Sequence, residues 1–585
     1  MPGLLGPNES RIQHQTHNVD LCVVGGGLAG LCAAIAAARH GAQVLLMQDR
    51  PVLGGNASSE IRMHICGAHG PNNRETGILE ELELENLYRN PASSYSIWDS
   101  VLYGAVQREP NLTLLLNCSC TELEMEGNRI AAVRGWQLTS ETWHTVRARL
   151  FADCSGDSIL APLSGAEFRI GREARSEFGE DIEPEAADSR TMGLSCLIQA
   201  RETDCPQPFI PPRWAYSCPT HDDLPDRDHD LRRTNYSWIE LGGDRDSIQD
   251  TGALCDELLK VAFGVWDHVK NRGDHGAENW VLEWVGFLPG KRESRRYLGD
   301  HILTQNDVRA GGRFDDLVAY GGWTMDDHHP AGIHHPGPPT IFHPAPSPYG
   351  IPYRCLYSRN VANLLFAGRN ISATHAALSS TRVMGTCAIL GQAVGTAAAI
   401  AVRDGLSPRG VYEQRLHELQ QTLMDDDGYL PGHARQVPAL SLAATLTASE
   451  GDPEPLRNGL DRPIGDQDNG WRGPLGSWVE YRFGQPQRVR ELRFVFDSDL
   501  NRPEKNMPHS YPLNAPPRRV PATMTRAFRV EALGEEGEWE VIARVEDNYQ
   551  RLVRVRVDVE TEALRFIPEA TWGAKTAHLF AWDVR

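Results

Sequence analysis

Several things are scarce in this chain of 585 residues, and each scarcity narrows what it does. Basic residues are outnumbered, 58 Lys and Arg against 78 Asp and Glu, which leaves a net charge of −20. That balance disfavours nucleic acid or an anionic membrane surface as the main partner. The twelve cysteines form no C-x-x-C pair, Cys118 and Cys120 being the two nearest, so reduced thiols in a cytoplasmic protein are expected. The first nineteen residues lack the apolar core of a signal peptide and read as a frayed polar arm. The longest apolar run, Cys387 to Val402, contains Gln392 and glycines, and reads as a buried helix rather than a membrane span. With 41% apolar and 23% charged residues, the chain has the make-up of an ordinary soluble protein of two to four domains.

What is present begins at Asp20. Leu21-Cys22-Val23-Val24 is a short apolar run suited to a buried parallel strand. Gly25, Gly27 and Gly30 follow at G-x-G-x-x-G spacing, with Ala29 between them. Gly25 permits the turn, Gly27 the approach of a pyrophosphate and Gly30 close helix–strand packing. An alanine-rich helix over Leu31–His40 points its N-terminus at the phosphates, Gly41 ends it, and Val44–Met47 is the second strand. The ribose contact expected at the end of that strand falls to Gln48 or Asp49, Gln48 having the better register.

The loop Arg50 to His64 holds Gly54, Gly55, Asn56, Ser58, Ser59, Glu60, Ile61 and Arg62, and Ile65–Gly70 continues it past His69. With the unit before it, this loop resembles the FAD-dependent oxidoreductase family among the glutathione-reductase-like flavoproteins. Fumarate reductase and succinate dehydrogenase flavoproteins are distant relatives of that family. The resemblance implies FAD as cofactor, with Gly54, Gly55, Asn56 and Ser59 along it.

Helices are expected at Arg74–Tyr88 and Trp98–Gln107, and strands at Asn111–Leu116, Thr121–Met125, Ile130–Gln137 and Thr145–Leu150. Phe151–Asp157 resembles the flavoprotein segment that returns to the cofactor, making Asp157 a contact; a helix N-cap is the alternative. From Ala161 to Tyr349 periodicity is poor, apart from a helix near Asp256–Lys270, and the stretch reads as an inserted substrate domain. Lys291–Arg296 resembles the family's arginine-bearing cleft segment; surface salt bridging is the plain alternative. Asp326-Asp327-His328-His329, His334-His335 and His343 have metal-ligand chemistry but no fixed spacing, so no metal is assigned and a cleft-lining loop is preferred.

Leu364–Phe366 reads as a strand entering Gly368, Arg369 and Asn370; a helix containing Gly391 and Gly395 follows. The resemblance places this stretch beside the flavin, with the helix N-terminus stabilising negative charge on the reduced ring. Beyond about residue 450, period-two runs such as Trp478–Phe483 and Val489–Phe496 suggest a sandwich. Asn458–Arg462, with Trp471 and Trp478, resembles discoidin-like, galactose-binding jelly rolls, interrupted by an insert at Asn501–Pro521. A packing role is slightly preferred there to sugar binding.

The expected fold class is α/β: a Rossmann-type FAD-binding domain (1–160 and 350–440), an inserted α+β substrate domain (161–349) and a C-terminal antiparallel β-sandwich (450–585). The expected activity is hydride transfer from a polar CH–OH donor, a sugar or sugar acid being first choice, to flavin. Reduction of an activated double bond in a carboxylate substrate, and a non-catalytic scaffold, are the alternatives. Proton-moving candidates are Glu60, His64, His69, His301 and His375, the last best placed, with Arg62, Arg295 and Arg296 as substrate anchors. The electron acceptor, the mode of FAD attachment and the oligomeric state stay open.

Overall fold

In the computed structural model, which describes residues 12–273, 275–503 and 505–585, the apolar run at Leu21–Val24 ends a twelve-residue strand, β1 (Gln13–Val24). Residues 13–19 of the expected polar arm are therefore ordered, because a long neighbouring strand offers backbone partners along their whole length. Residues 1–11 of that arm lie outside the described residues.

The chain forms two units. The first comprises Met1–Gly67, Trp98–Leu419 and Met507–Pro516; the second comprises Ala68–Ile97, Gln420–Asn506 and Pro517–Arg585. The breaks expected at residues 160 and 349 fall inside the first unit.

In the first unit, β1 leads through α1 (Leu28–Arg39) to β2 (Val44–Met47), then β3 (Leu112–Leu115), β4 (Cys118–Glu126), β5 (Arg129–Gln137) and β6 (Thr142–Asp153). The sheet order is β3-β2-β1-β6-β5-β4, with β7 (Leu364–Phe366) also paired to β6. β3, β2, β1, β6 and β7 run parallel, while β4, β5 and β6 form an antiparallel meander. The parallel strands are apolar and buried at their ends, as covering on both faces requires.

One cover is α1 itself, on which α4 (Met384–Asp404) lies. α4 is long and apolar enough to span a bilayer, but 94% of its apolar window is buried within the protein. Small residues set the approach: a Cβ on Gly391 would sit 2.0 Å from Ala29 O, and one on Gly395 would sit 2.1 Å from Ala33 O. Between β6 and β7 the chain builds short two- and three-stranded sheets and the helix α2 (Thr251–Asp267) around a separate core including Leu194, Leu258, Trp266 and Trp280. α3 (His375–Thr381) precedes α4.

The second unit is a seven-stranded antiparallel sheet: β8 (Thr445–Ala448), β9 (Trp471–Pro474), β10 (Val479–Phe496), β11 (Thr525–Leu533), β12 (Trp539–Val545), β13 (Leu552–Thr571) and β14 (Thr576–Val584). Its order is β9-β14-β10-β13-β11-β12, with β8 on β10. Two expected strands merge into β10, whose register against β13 shifts between Arg482 and Gln487. Gly484 and Pro486 occupy that bulge, where neither disturbs the ladder. The helix Ile78–Arg89 belongs to this unit and buries Leu84 and Leu87 with Phe494, Phe566 and Trp582.

Because Ala33 O leaves no room for a side chain at Gly395, Gly395→Val should destabilise the first unit by about 1–3 kcal/mol. A lowered thermal midpoint, followed by tryptophan fluorescence, checks this.

Candidate functional site

The site is built at the carboxyl edge of the parallel sheet. Val24 stands opposite Met47 and Asp153, and Asp153 opposite Phe366, so these strands end in register. Four turns leave this edge: Gly25–Gly27, Gln48, Cys154–Asp157 and Ala367–Gly368. A ligand crevice forms at such an edge in open α/β sheets.

The glycines have distinct tasks. Gly25, at φ +101°, would place a Cβ 2.5 Å from the Cys154 carbonyl, and Gly30 would place one 1.8 Å from Gly25 O. Those two serve internal packing. Gly27 is open: its Cβ would meet nothing nearer than Gly55 Cα, at 3.9 Å. The double-glycine loop lies directly on the turn, with Gly54 N–H donating to Gly26 O at 2.8 Å. α1 begins there without a side-chain cap or an acidic residue in its first turn. Its leading N–H groups and positive dipole end thus face a cradle lined by backbone.

A polar cofactor fits the far side of this cradle. Gly368 (φ +115°) would place a Cβ 3.6 Å from that of Ala29 and 3.3 Å from Asn370 Oδ1. Asn370 Oδ1, Arg369 Nε, and the hydroxyls of Thr381 and Thr386 at the junction of α3 and α4 are buried without partners. Each such group costs about 1–3 kcal/mol while unpaired, and a hydroxyl-rich dinucleotide offers the missing partners. The chain's residues therefore fit FAD.

The expected cofactor contacts are redistributed. Gln48 is buried and turned inward: Oε1 accepts from Gly26 N–H at 2.6 Å and Nε2 donates to Val52 O at 3.1 Å. It holds the glycine turn, and the exposed Asp49 is the acidic group at the strand end. Asn56 donates to Lys291 O at 3.0 Å, and Ser59 N–H donates to Asp99 at 3.1 Å. Asp157 is not a helix cap; Lys291 at 2.6 Å, Arg369 at 2.8 Å and Ser294 at 2.8 Å hold it. Burial opposes its charge, but Arg369 and Lys291 prevail and bring it down to about 2. Gly391 meets α1 rather than open space.

Several expected catalytic groups are structural. Arg296 is fully buried, donating to Glu173 at 3.2 Å and to Gly171 O, so it is not a substrate anchor. Arg295 donates to Asp157 O at 3.2 Å. His301 lies 3.1 Å from Asp307, the carboxylate of a capping box with Thr304. His69 lies in Ala68–Ile97, which folds with the second unit. Glu60 faces Arg50 at 3.6 Å rather than Arg62, and burial pushes its carboxyl up. Arg62 adopts φ +60°, donates to Gln199 at 3.0 Å and covers the Trp284 ring at 4.6 Å. Such a backbone costs about 1–3 kcal/mol in a non-glycine residue and recurs at functional sites. His64 is buried against the ring of His509, 4.3 Å between centroids.

Gly290–Arg296 joins these parts. Lys291 and Ser294 hold Asp157, and Arg296 holds Glu173. Glu293, fully buried, receives His375. His375 opens α3 at 2% exposure, its Nδ1 2.9 Å from Glu293 and its Nε2 3.2 Å from Asp327. Desolvation opposes its charge, yet these two carboxylates raise its pKa well above the ordinary value. Both ring nitrogens face carboxylate oxygens, an arrangement that suits donation from each and disfavours the expected role as base. Glu183 accepts from Ala376 N–H at 2.8 Å through Oε1, while Oε2 is buried without a partner. Burial lifts its carboxyl to about 7. Glu173 accepts from His375 N–H at 2.9 Å.

Sequence reasoning passed over Glu183, Glu173 and His509. The glutamates lie in a stretch without periodicity, and His509 lies in an insert that looked like an interruption of the sandwich. The histidine-rich stretch at 326–343 pairs Met325–His328 with Thr340–His343. There His328 meets Glu240 at 2.8 Å, and Asp327 is the residue that reaches His375.

Two predictions follow from this geometry. Gly27→Ala should fold normally but bind FAD at least about tenfold more weakly, ~1.4 kcal/mol, by flavin titration with circular dichroism as the control. His375→Gln leaves Glu293 with Arg296, 3.9 Å away, as its remaining cation, and should destabilise by about 1.5–3 kcal/mol near neutrality. The His375 pKa is raised on folding, so its contribution is complete below the ordinary value of 6.5 and is lost as pH rises through the folded value. The variant's thermal midpoint should accordingly fall less than the wild type's on alkaline titration.

Comparison with known proteins agrees with this site. The family model described as FAD dependent oxidoreductase matches residues 20–423. No curated protein matches the chain. Among solved structures, the family 32 carbohydrate-binding module of Streptococcus pneumoniae EndoD is 15% identical, with 24% of this chain and 97% of that one covered and a TM-score of 0.19. The family 32 module of Clostridium perfringens NanJ, in complex with galactose, is 10% identical, with 25% and 94% covered and a TM-score of 0.18. Likeness at those scores says nothing of what the second unit binds. The family match spans well over half of the chain and contains the glycine cradle, the double-glycine loop and α4: this protein is a member of the FAD-dependent oxidoreductase family.

Proposed function

We propose that the enzyme oxidises a CH–OH group of a polar, non-anionic small molecule of the sugar or polyol kind. The observation that carries this reading is the charge around His375. Glu173, Glu180, Glu183, Glu293 and Asp327 gather at the start of α3. The nearby cations are already paired: Arg296 with Glu173, and Arg172 with Asp188 at 2.5 Å. A carboxylate substrate would meet carboxylates there and find those guanidiniums taken, which disfavours both a dicarboxylate and a sugar acid. A hydroxyl-rich neutral substrate finds acceptors.

Bound FAD supplies the hydride acceptor. Glu183 takes the hydroxyl proton, since its Oε2 is unpartnered and its affinity for protons is matched to neutral pH. His375 keeps its protons, orders Glu293 and Asp327, and presents positive charge beside the nascent alkoxide. Arg62, held in a strained backbone, and His64 line the approach along the double-glycine loop.

Anaerobic mixing of the flavin-loaded enzyme with a panel of polyols, hydroxy acids and amino acids tests this. Polyols should bleach the flavin. Bleaching by hydroxy acids or amino acids alone would overturn the reading, and reoxidation of the reduced enzyme by fumarate-like acceptors would favour double-bond reduction. Glu183→Gln should retain flavin and lose about 10²–10⁴ in bleaching rate.

A further inference from the structure

We propose that His221, His229, His268 and His275 form a zinc site in the core of the region between β6 and β7. Four segments converge there. His268 opens a π-helical turn, His268–Arg272, at the end of α2, and His275 lies just beyond it. His221 begins the short helix His221–Asp223, and His229 follows on extended chain. One ring nitrogen from each histidine lies within 4.8 Å of one from each of the others.

The ring geometry is that of ligands facing one point. His268 Nδ1 donates to Cys218 O at 2.8 Å, which leaves the lone pair on Nε2. A ligating histidine is oriented by such a bond from its other nitrogen. His268 Nε2 then lies 3.2 Å from His275 Nε2. Two imidazole nitrogens on a tetrahedral zinc, each about 2.0–2.1 Å from the metal, stand about 3.4 Å apart.

His229 supplies the independent observation. It is 8% exposed, and neither of its ring nitrogens has a partner. Its ring packs at 4.8–5.0 Å centroid distance from those of His221, His268 and His275. A cluster of imidazoles that merely filled space would leave both polar atoms buried and unpaired, which native interiors avoid. A metal ion satisfies one of them. Trp238, Trp266 and Val269 lie in the surrounding core and help exclude water, while His221 is exposed and marks the entry side. Four neutral imidazoles suit zinc, copper, nickel or iron. We assign zinc because four protein ligands are the full complement of a tetrahedral structural site. The ion pins the chain around residues 218–238 to the end of α2 and takes no part in the flavin chemistry.

The test uses the full-length, flavin-loaded protein. Metal analysis should find about one zinc per chain, removable by chelator and restored by zinc sulfate, with a higher thermal midpoint when restored. The double variant His229→Ala, His268→Ala should hold less than about a tenth of that zinc while keeping its flavin. If the double variant fails to hold flavin, the titration of chelated wild type decides. A chelated wild type that takes up no zinc, a midpoint indifferent to zinc, stoichiometric zinc in the double variant, or copper, nickel or iron in its place would each overturn the assignment.

Discussion

The site depends on backbone approaching backbone at places where no side chain fits. Gly25 against Cys154, Gly30 against Gly25, and Gly391 and Gly395 against α1 all sit at distances that a Cβ would violate, and Gly55 lies close against Gly27. These contacts bring β1, β6, the double-glycine loop and α4 to one edge. The hydrogen-bond donors of a helix start can then meet a ligand without intervening atoms. Glycine lowers the stability of each element alone, but here it places N–H groups that no side chain could replace.

A second constraint acts on charge. The strip Gly290–Arg296 sends successive side chains to different partners: Lys291 and Ser294 to Asp157, Glu293 to His375, Arg296 to Glu173. Buried charges of this kind contribute little net stability, because desolvation offsets attraction. Their effect is positional. Each removes a choice of rotamer from its partner, so a region of poor periodicity acquires one arrangement. Glu183, with one oxygen left unpaired, is where that network stops short of full satisfaction.

What could be read from the sequence follows this division. The glycine spacing, the double-glycine loop and the α4 run were legible because backbone geometry writes itself as composition. The strands at 112–153 were legible because burial alternates along them. The roles within Lys291–Arg296 were not, since which basic side chain meets which carboxylate depends on residues more than a hundred positions away. Gln48 misled for a related reason: its position matches a ribose ligand, but Oε1 reaches Gly26 N–H first. His375 stands beside the cofactor stretch as expected, yet Glu293 and Asp327 fix its proton count, and neither is near it in sequence.

The insert Asn501–Pro521 carries the argument one step further. It seemed to interrupt the sandwich, but Met507–Pro516 belongs to the flavin unit. Tyr511 pairs with the strand Ile198–Glu202, its N–H donating to Ala200 O and its carbonyl accepting from Glu202 N–H, both at 2.9 Å. His509 packs its ring, tilted, against His64 of the double-glycine loop. An exposed sheet edge is thereby completed by chain far downstream. Contacts of such sequence separation form late, since a long loop must close before they gain anything. Fold boundaries drawn by composition near residue 450 would cut this dependence, and a flavin domain ending there would lack both the covered edge and the ring beside His64.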